Sequence, residues 1–388
     1  MEQRKIAIIP LRAGSKGIIK KNQKKILGRP LFTWVLGEAI QSNLDHIYLF
    51  TDDHEIKAYV EKEYQWTSKV SVVERSEESA NDTASTEFAM NELAEMINFK
   101  FAQFYLLQAT SPLTTSSDIN NAITLLNNVQ VDSVLSVVKT HRFIWNNKGE
   151  SLNYNYLNRP RRQDFEGLLI ENGAIYGCKK ETFLKTNNRL GDKIEVLEMS
   201  EDTLIEIDEP GDLVIIEQLL KNRLQSKNKF HQNIKYVVFD VDGVFTNGTV
   251  FYTKDGEFSK NFSFIDGMGF ELLRENGIDP IIMTSEQSSL VQKRMEKLNI
   301  LHVYLGVKDK YTRLSILLNE LGSTRSEVAY LGDDINDLSN MLSVGWSACP
   351  INAVDIVKQN SDIQLHHSGG NGAIREFIEF LIKYNKRS

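Results

Sequence analysis

Two α/β domains are what this 388-residue sequence predicts, and three observations predict them. Short apolar runs of strand size alternate with helix-period segments along the chain, the pattern of parallel sheets joined by crossover helices. A polar, basic stretch, LKNRLQSKNKFHQ (220–232), breaks that alternation. Past it the pattern restarts with YVVFD. Length agrees, since roughly 100–200 residues per domain implies two or three cores. The expected division is a first domain over 1–225, a linker over 226–233 and a second domain over 234–388.

In the first domain the expected strands are IAIIP (6–10), HIYLFT (46–51), FYLLQA (104–109), DSVLSVV (132–138) and NGAIYGC (172–178). Between the first two, PLFTWVLGEAI puts Leu31, Trp34, Val35 and Ala39 on one helical face, with Pro30 at a first helical position. A further helix starts at Pro210. The second domain reads as strand YVVFD, a hairpin GTVFYTKDGEFSKNF turning at Asp255-Gly256, strand PIIMT, a helix over 288–298, strand VAYLGD (328–333) and a closing helix GAIREFIEFLIKY. No internal repeat relates the halves.

Composition narrows the function classes. Hydrophobic residues at 41% and charged residues at 25% suit a chain that buries a core. No run approaches the ~20 apolar residues that span a bilayer, and the start MEQRKIAIIP is too short in its apolar part for a signal peptide. Cytoplasmic residence without a membrane partner is therefore expected. Cys178 and Cys349 lie in separate halves without metal-ligand spacing, which argues against a disulfide framework or zinc site. A net charge of -7 argues against a nucleic-acid surface but not against small anions bound by local loops.

The loop after the first strand, LRAGSKGIIKKN, sets Gly14 and Gly17 among Arg12, Lys16, Lys20 and Lys21. Glycines let backbone N–H groups approach a polyphosphate and the cations neutralise it. It is neither a Walker A nor a GxGxxG motif, and alone it reads equally well as a solvated turn. The wider pattern resembles the cytidylyltransferases of acylneuraminates. Besides the loop, FTDDHEI, ERSEESANDTAST, LLQATSPLTTSSDI, RRQDF with ENGAIY, and IEIDEPGDL are similar to that family's segments, in order, over about 4–222.

The resemblance implies attack of a nonulosonic acid's anomeric hydroxyl on the α-phosphorus of CTP, with Mg²⁺ on the phosphates. It implies nucleotide binding by Arg12, Ser15, Lys16, Lys21, Asn22, Gln108 and Ser111. Arg162, Gln163 and Asn172 would lie near the sugar acid, and Lys139 or Arg142 could pair its carboxylate. Metal ligands would be Glu206 and Asp208, one residue apart on a closing strand and so on one face. Glu206 stands where the family has Asp. Asp212 serves helix starting or packing, and Thr114 replaces the family's Arg in SPLT. The octulosonate cytidylyltransferases are an alternative, but their loop lacks the GSKG…KKN form.

In the second domain, hydrolysis of a phosphate monoester needs several groups together, because one acid or base contributes only ~10²–10⁴-fold. Four segments, each just after an apolar run, resemble the motifs of the haloacid dehalogenase superfamily, giving a second Rossmann-like three-layer domain with a β-hairpin in place of a large cap. In DVDGVFTNG, Asp240 would be the nucleophile and Asp242 the general acid/base. Thr284 would bind the phosphoryl group, and Lys310, favoured over Lys308, would offset its charge. Asp240, Asp242 and Asp333 would hold Mg²⁺, with Asp334 or Asp337 completing the site.

The hairpin resembles that of capless phosphatases acting on octulosonate 8-phosphate and nonulosonate 9-phosphates, which implies a homotetramer through this domain, first-domain dimer contacts, and Asp266 and the hairpin acting across an interface. MTSEQS lacks the Gly-Arg frequent in the octulosonate branch. The expected partners are CTP, a nonulosonic acid and its 9-phosphate. The alternatives are a second domain serving assembly alone and, more weakly, a regulatory sugar- or nucleotide-binding protein with neither activity.

Overall fold

The computed structural model describes residues 4–14, 17–225, 229–230 and 233–385. In chain order its strands are β1 (Lys5–Leu11), β2 (Lys25–Ile26), β3 (Arg29–Pro30), β4 (His46–Thr51), β5 (Val70–Glu74), β6 (Gln103–Leu107), β7 (Ser133–Thr140), β8 (Leu168–Lys179), β9 (Ile194–Met199), β10 (Tyr236–Phe239), β11 (Phe251–Thr253), β12 (Gly256–Ser259), β13 (Asp279–Met283), β14 (His302–Tyr304), β15 (Val328–Leu331), β16 (Trp346–Cys349) and β17 (Ile363–Gln364). Contacts divide the chain into two compact units. One is Met1–Lys24 with Pro30–Ile216; the other is Lys25–Arg29 with Glu217–Ser388. The division falls inside the helix Pro210–Leu224, and five residues ahead of the helix Leu31–Gln41 belong with the second unit.

The first unit is built on a sheet in the order β5-β4-β1-β6-β8-β7-β9. Its central strand β1 has Ile6, Ala7, Ile8 and Ile9 all at 1% exposure or less, as expected of a strand covered on both faces. One face packs Ile6, Ile8, Phe104 and Leu106 against Met90 and Leu93 of the helix Thr86–Met96. The sheet is mixed, not all parallel. β8 runs antiparallel to both β6 and β7, and between β7 and β8 the described residues form short 3₁₀ turns and no crossover helix. Pro30 is the residue before the first helix, not its first position. Local signals fix the other helix starts: Asp53 accepts from Glu55 and Ile56 N–H groups, and Thr115 with Asp118 forms a capping box.

In the second unit a six-stranded sheet, β14-β13-β10-β15-β16-β17, is parallel across every pair. Alternation along β10 sends Val237 and Phe239 to one face and Val238 to the other. The first face is covered by Phe270 and Leu273 of the helix Phe264–Glu275 and by Phe377, Ile378 and Leu381 of the helix Ala373–Tyr384. Leu314, Leu317, Leu318 and Met341 cover the second. Three layers result. β10 lies between β13 and β15, with Phe239 level with Ile282 and Leu331, so the residues that follow these strands meet at one edge. Such carboxyl edges are where open α/β sheets bind ligands. The hairpin β11–β12 pairs Thr253 with Gly256, so its turn is Lys254–Asp255, one residue earlier than the spacing predicts. No described helix is long and apolar enough to cross a membrane.

Candidate active sites

In the second unit, Asp240 follows β10 and is 4% exposed. Lys310, the first residue of the helix Lys310–Glu320, lies fully inside. Its Nζ is 2.8 Å from Asp240 Oδ1 and 2.7 Å from Asp337 Oδ1. Tyr330 Oη donates to the same Asp337 oxygen at 2.7 Å, and the Asp333 N–H donates to its Oδ2 at 3.3 Å. Carboxylate oxygens of Asp240, Asp333 and Asp337 lie within 4.8 Å of one another. Of the two residues left open by sequence, Asp337 is therefore the third member, while Asp334 is exposed. Lys308 is exposed as well. Thr284 is buried directly after β13, and its Oγ1 accepts from the Glu286 N–H. Gly243 is obligatory here: at φ +94° a Cβ would come within 1.9 Å of Asp333 Oδ2.

This cluster carries more negative charge than one lysine offsets. Burial, then Asp337, raises the Asp240 carboxyl to about 7 against the pull of Lys310. Burial, then Asp240 and Asp337, raises Asp333 to about 8. Lys310 is held above its usual range, the attraction of Asp240 and Asp337 outweighing its burial. Asp242 Oδ2 and Asp333 Oδ1 are buried without a hydrogen-bond partner. Crowded oxygen donors of excess negative charge with unpaired lone pairs fit a hard divalent cation.

Sequence reasoning missed Lys260. Its side chain is 3% exposed and its Nζ bridges Asp242 Oδ1 (2.6 Å) and Glu257 Oε1 (3.2 Å); the Asp-Gly turn marked the hairpin but nothing marked which of its lysines turns inward. A cleft of about 450 Å³ opens beside them, bordered by Asp242, Thr249, Tyr252, Glu257, Lys260 and Gln287. Asp266 takes a structural place instead of an interfacial one. It is 1% exposed and accepts from the N–H groups of Gly372 and Arg375 at the start of the last helix.

In the first unit a cleft of about 640 Å³ is lined by Arg12, Gly17, Lys21, Asn22, Gln108, Glu206 and Asp208. Arg12 Nη1 pairs with Asp82 Oδ1 at 2.7 Å, both partly exposed. Lys21 Nζ donates to the Ile207 carbonyl at 2.7 Å and meets Asp208 Oδ1 at 3.2 Å. Asn22 Nδ2 donates to the Arg12 carbonyl. Gly17 sits so close to the Asp208 carbonyl that a Cβ would lie 2.3 Å from it. Ser15 and Lys16 lie outside the described residues.

Glu206 and Asp208 both reach this cleft, but not from a strand. β9 ends at Met199 and a 3₁₀ turn, Glu201–Leu204, follows. Chain direction is held instead by the Ile207 N–H to the Thr110 carbonyl. Half-burial, then Asp208, raises the Glu206 carboxyl, partly offset by Lys21. Asp212 starts the following helix, accepting from the N–H groups of Asp208 and Glu209.

The expected sugar-side residues are placed differently. Asn172 is 1% exposed, and its amide accepts from Ser136 Oγ (2.6 Å) and donates to Thr203 Oγ1 (3.0 Å), so it locks β8 to its neighbours instead of facing the cleft. Arg162 and Gln163 sit in an exposed 3₁₀ turn, and Lys139 and Arg142 are exposed too; the cleft lining includes none of the four. Ser111 is buried behind Gln108, whose carbonyl accepts from its N–H. Arg75, Asn81, Asp82 and Ser85 line the cleft without having been singled out. They come from ERSEESANDTAST, where the resemblance fixes Arg75, Asp82 and Ser85 in a pattern without giving them a site role.

A cytidylyltransferase family model matches residues 6–238. N-acylneuraminate cytidylyltransferase A of Danio rerio is 30% identical over 98% of this chain and 89% of its own. The chain belongs to the cytidylyltransferase family. Its second unit is a haloacid dehalogenase-like hydrolase domain: that family's model matches residues 282–378. The 3-deoxy-D-manno-octulosonate 8-phosphate phosphatase of Salmonella typhi is 34% identical over 39% of this chain and 80% of its own. Among solved structures, the Moraxella catarrhalis enzyme of that name, in complex with magnesium ion, phosphate ion and KDO, is 32% identical, covering 43% of this chain and 92% of its own at a TM-score of 0.39. The hydrolase match starts two residues before Thr284, so Asp240 and Asp242 lie ahead of it. The cytidylyltransferase unit and the hydrolase unit thus each carry a cleft beside charged residues.

Proposed function

We propose that this cytidylyltransferase is bifunctional: the first unit transfers CMP from CTP to the anomeric hydroxyl of a nonulosonic acid, and the second hydrolyses that acid's 9-phosphate. The observation that carries the second activity is the buried group Asp240, Lys310, Asp333 and Asp337 at a sheet edge, with Asp240 two residues along the chain from Asp242, which lines an open cleft. The steps would be consecutive, the phosphatase product being the sugar the transferase consumes.

In the phosphatase reaction, Asp240 attacks phosphorus and forms an aspartyl-phosphate while Asp242 gives a proton to the departing sugar oxygen. Asp242 then takes a proton from the water that cleaves the phosphoaspartate, releasing inorganic phosphate and restoring Asp240. Thr284 and Lys310 hold the phosphoryl oxygens. Asp240, Asp333 and Asp337, with the Asp242 backbone, would hold Mg²⁺, which supplies charge neutralisation to the phosphoryl group. In the transferase, Arg12, Lys21 and Asn22 orient the triphosphate beside Gln108, and Glu206 with Asp208 would hold a second Mg²⁺. Ser15 and Lys16 complete the loop in this reading.

The exposed Phe251, Tyr252, Phe258 and Phe264 support assembly through the hydrolase unit, and a homotetramer is the state to look for by light scattering. A second reading, in which this unit serves assembly alone, is favoured by one observation: the Danio rerio relative, matched along nearly the whole chain, is named for a single activity. The deciding experiment measures pyrophosphate release with CTP and a panel of nonulosonic and octulosonic acids beside phosphate release from their terminal phosphates. Phosphate release equal in wild type and Asp240→Asn would overturn the bifunctional reading.

A further inference from the structure

The five residues Lys25–Arg29 precede the helix Leu31–Gln41 in sequence yet pack within the hydrolase unit, and no step of the proposed reactions uses them. Arg29 is 4% exposed. Its guanidinium grips Asp309 with both donors, Nε to Oδ1 at 3.0 Å and Nη2 to Oδ2 at 3.2 Å. Nη2 also donates to Thr312 Oγ1 at 2.9 Å, and the group lies 4.6 Å from the centre of the Tyr311 ring. Asp309 is the residue that starts the Lys310 helix, its Oδ1 accepting from the Thr312 N–H.

Two residues earlier in the segment, the Leu27 carbonyl accepts from Ser339 Oγ at 2.6 Å, and Ser339 stands two residues beyond Asp337. Gly28 adopts φ +83°, and a Cβ there would fall 1.9 Å from the Ile335 carbonyl. Only glycine allows that approach. Ile335 lies between Asp333 and Asp337 in the loop that supplies both carboxylates. One segment therefore abuts the two stretches of chain that deliver Lys310 and the acidic pair.

We infer that Lys25–Arg29 is a positioning element of the phosphatase site, with Arg29 acting through Asp309 to fix Lys310 against Asp240. The inference rests on the phosphatase reading above. Bidentate guanidinium–carboxylate pairs define orientation as well as distance, and a displacement of about 1 Å in a catalytic group costs roughly 10²-fold in rate. The sequence that encodes this support lies inside the span matched by the cytidylyltransferase model.

The test uses the full chain and reads phosphate release, CMP transfer and thermal unfolding together. Arg29→Ala is expected to lower kcat for phosphate release about 10- to 100-fold with KM within about twofold, and to leave CMP transfer in place. Arg29→Lys should fall between it and wild type. Low-millimolar guanidinium should restore part of the lost kcat in Arg29→Ala and none in Asp309→Ala. Ser339→Ala, which removes a single hydrogen bond, covers the case in which Arg29→Ala does not fold; it should lower kcat by about threefold without moving KM. Wild-type kcat in folded Arg29→Ala, or a loss that follows only the unfolded fraction and ignores guanidinium, overturns the inference. A wild-type chain that releases phosphate from none of the sugar phosphates overturns the phosphatase reading itself, and the inference with it.

Discussion

Lys310 in the hydrolase unit is enclosed between Asp240 and Asp337 with no exposed side-chain surface, whereas Arg12 in the transferase cleft meets Asp82 with 35% and 46% of their side chains exposed. Both are ion pairs at the ends of central strands. The buried one is fixed before substrate arrives, and its charges are strong because little water screens them. The open one is cheap to exchange, since solvated pairs contribute ~0–1 kcal/mol, and its arginine stays accessible to solvent. In the proposed reading the phosphoryl group meets the enclosed cluster and the nucleotide meets the open cleft.

This contrast makes the two sites breakable one at a time. The largest effect is expected from Asp240→Asn: phosphate release falls by at least about 10³-fold with the nucleophile gone, while pyrophosphate release with CTP and sugar acid is unchanged. Arg12→Ala should do the reverse, reducing CMP transfer by roughly 10²-fold at constant phosphate release. It should also leave unfolding unmoved to within about 0.5 kcal/mol, because the lost pair is solvated. Lys310→Met, by contrast, leaves Asp240 and Asp337 without their cation and should destabilise the hydrolase unit by about 3–5 kcal/mol in denaturant titration. A Lys310→Met variant as stable as wild type would show that the cluster is not the buried pair described.

Metal sharpens the same contrast. Mg²⁺ should raise the unfolding temperature of the hydrolase unit, since a ligand bound only by the folded state stabilises it, and Asp333→Asn should remove that increase. A smaller effect tests the surface of this unit. Glu376 accepts hydrogen bonds from the N–H groups and rings of His366 and His367, and these hold its carboxyl down to about 2 against its burial. A depressed folded pKa gives stability that is present above the unfolded value near 4.5 and is lost as pH falls through 2. Glu376→Gln should therefore be less stable than wild type at neutral pH, and the difference should close between about pH 4.5 and 2. A gap that stays constant over that range would contradict the assignment.

Central strands were legible and edges were not. β1, β4 and β10 are continuous apolar runs bounded by charge, and their expected limits lie within one or two residues of the observed ones. β5 and β9 sit at the two edges of the first sheet with half-exposed or exposed faces, so their apolar pattern is thin. β14 and β17 are edges of two or three residues, too short to carry a period. In the hydrolase unit Asp240 and Asp333 stand just past the apolar strands β10 and β15 and Lys310 opens a helix, so order and spacing had marked three of the residues that the structure groups together. Choosing Asp337 over Asp334 required the fold, because only burial distinguishes neighbouring acids in GDDIND. The transferase cleft draws on side chains from loops far apart in sequence, so Arg75 and Asp82, part of a matched pattern, were not assigned to the site, while Asn172 is held inside by Ser136 and Thr203. Long-range packing of Lys25–Arg29 leaves no local signal at all.

The central claim is that one chain holds two separate working sites. The most direct measurement follows phosphate and pyrophosphate release in parallel from wild type, Asp240→Asn and Arg12→Ala, each shown to be folded, with the sugar phosphate, the free sugar acid and CTP supplied. The account predicts both products from wild type, pyrophosphate alone from Asp240→Asn and phosphate alone from Arg12→Ala. Loss of both products in either folded variant, or phosphate release by Asp240→Asn at the wild-type rate, would contradict it.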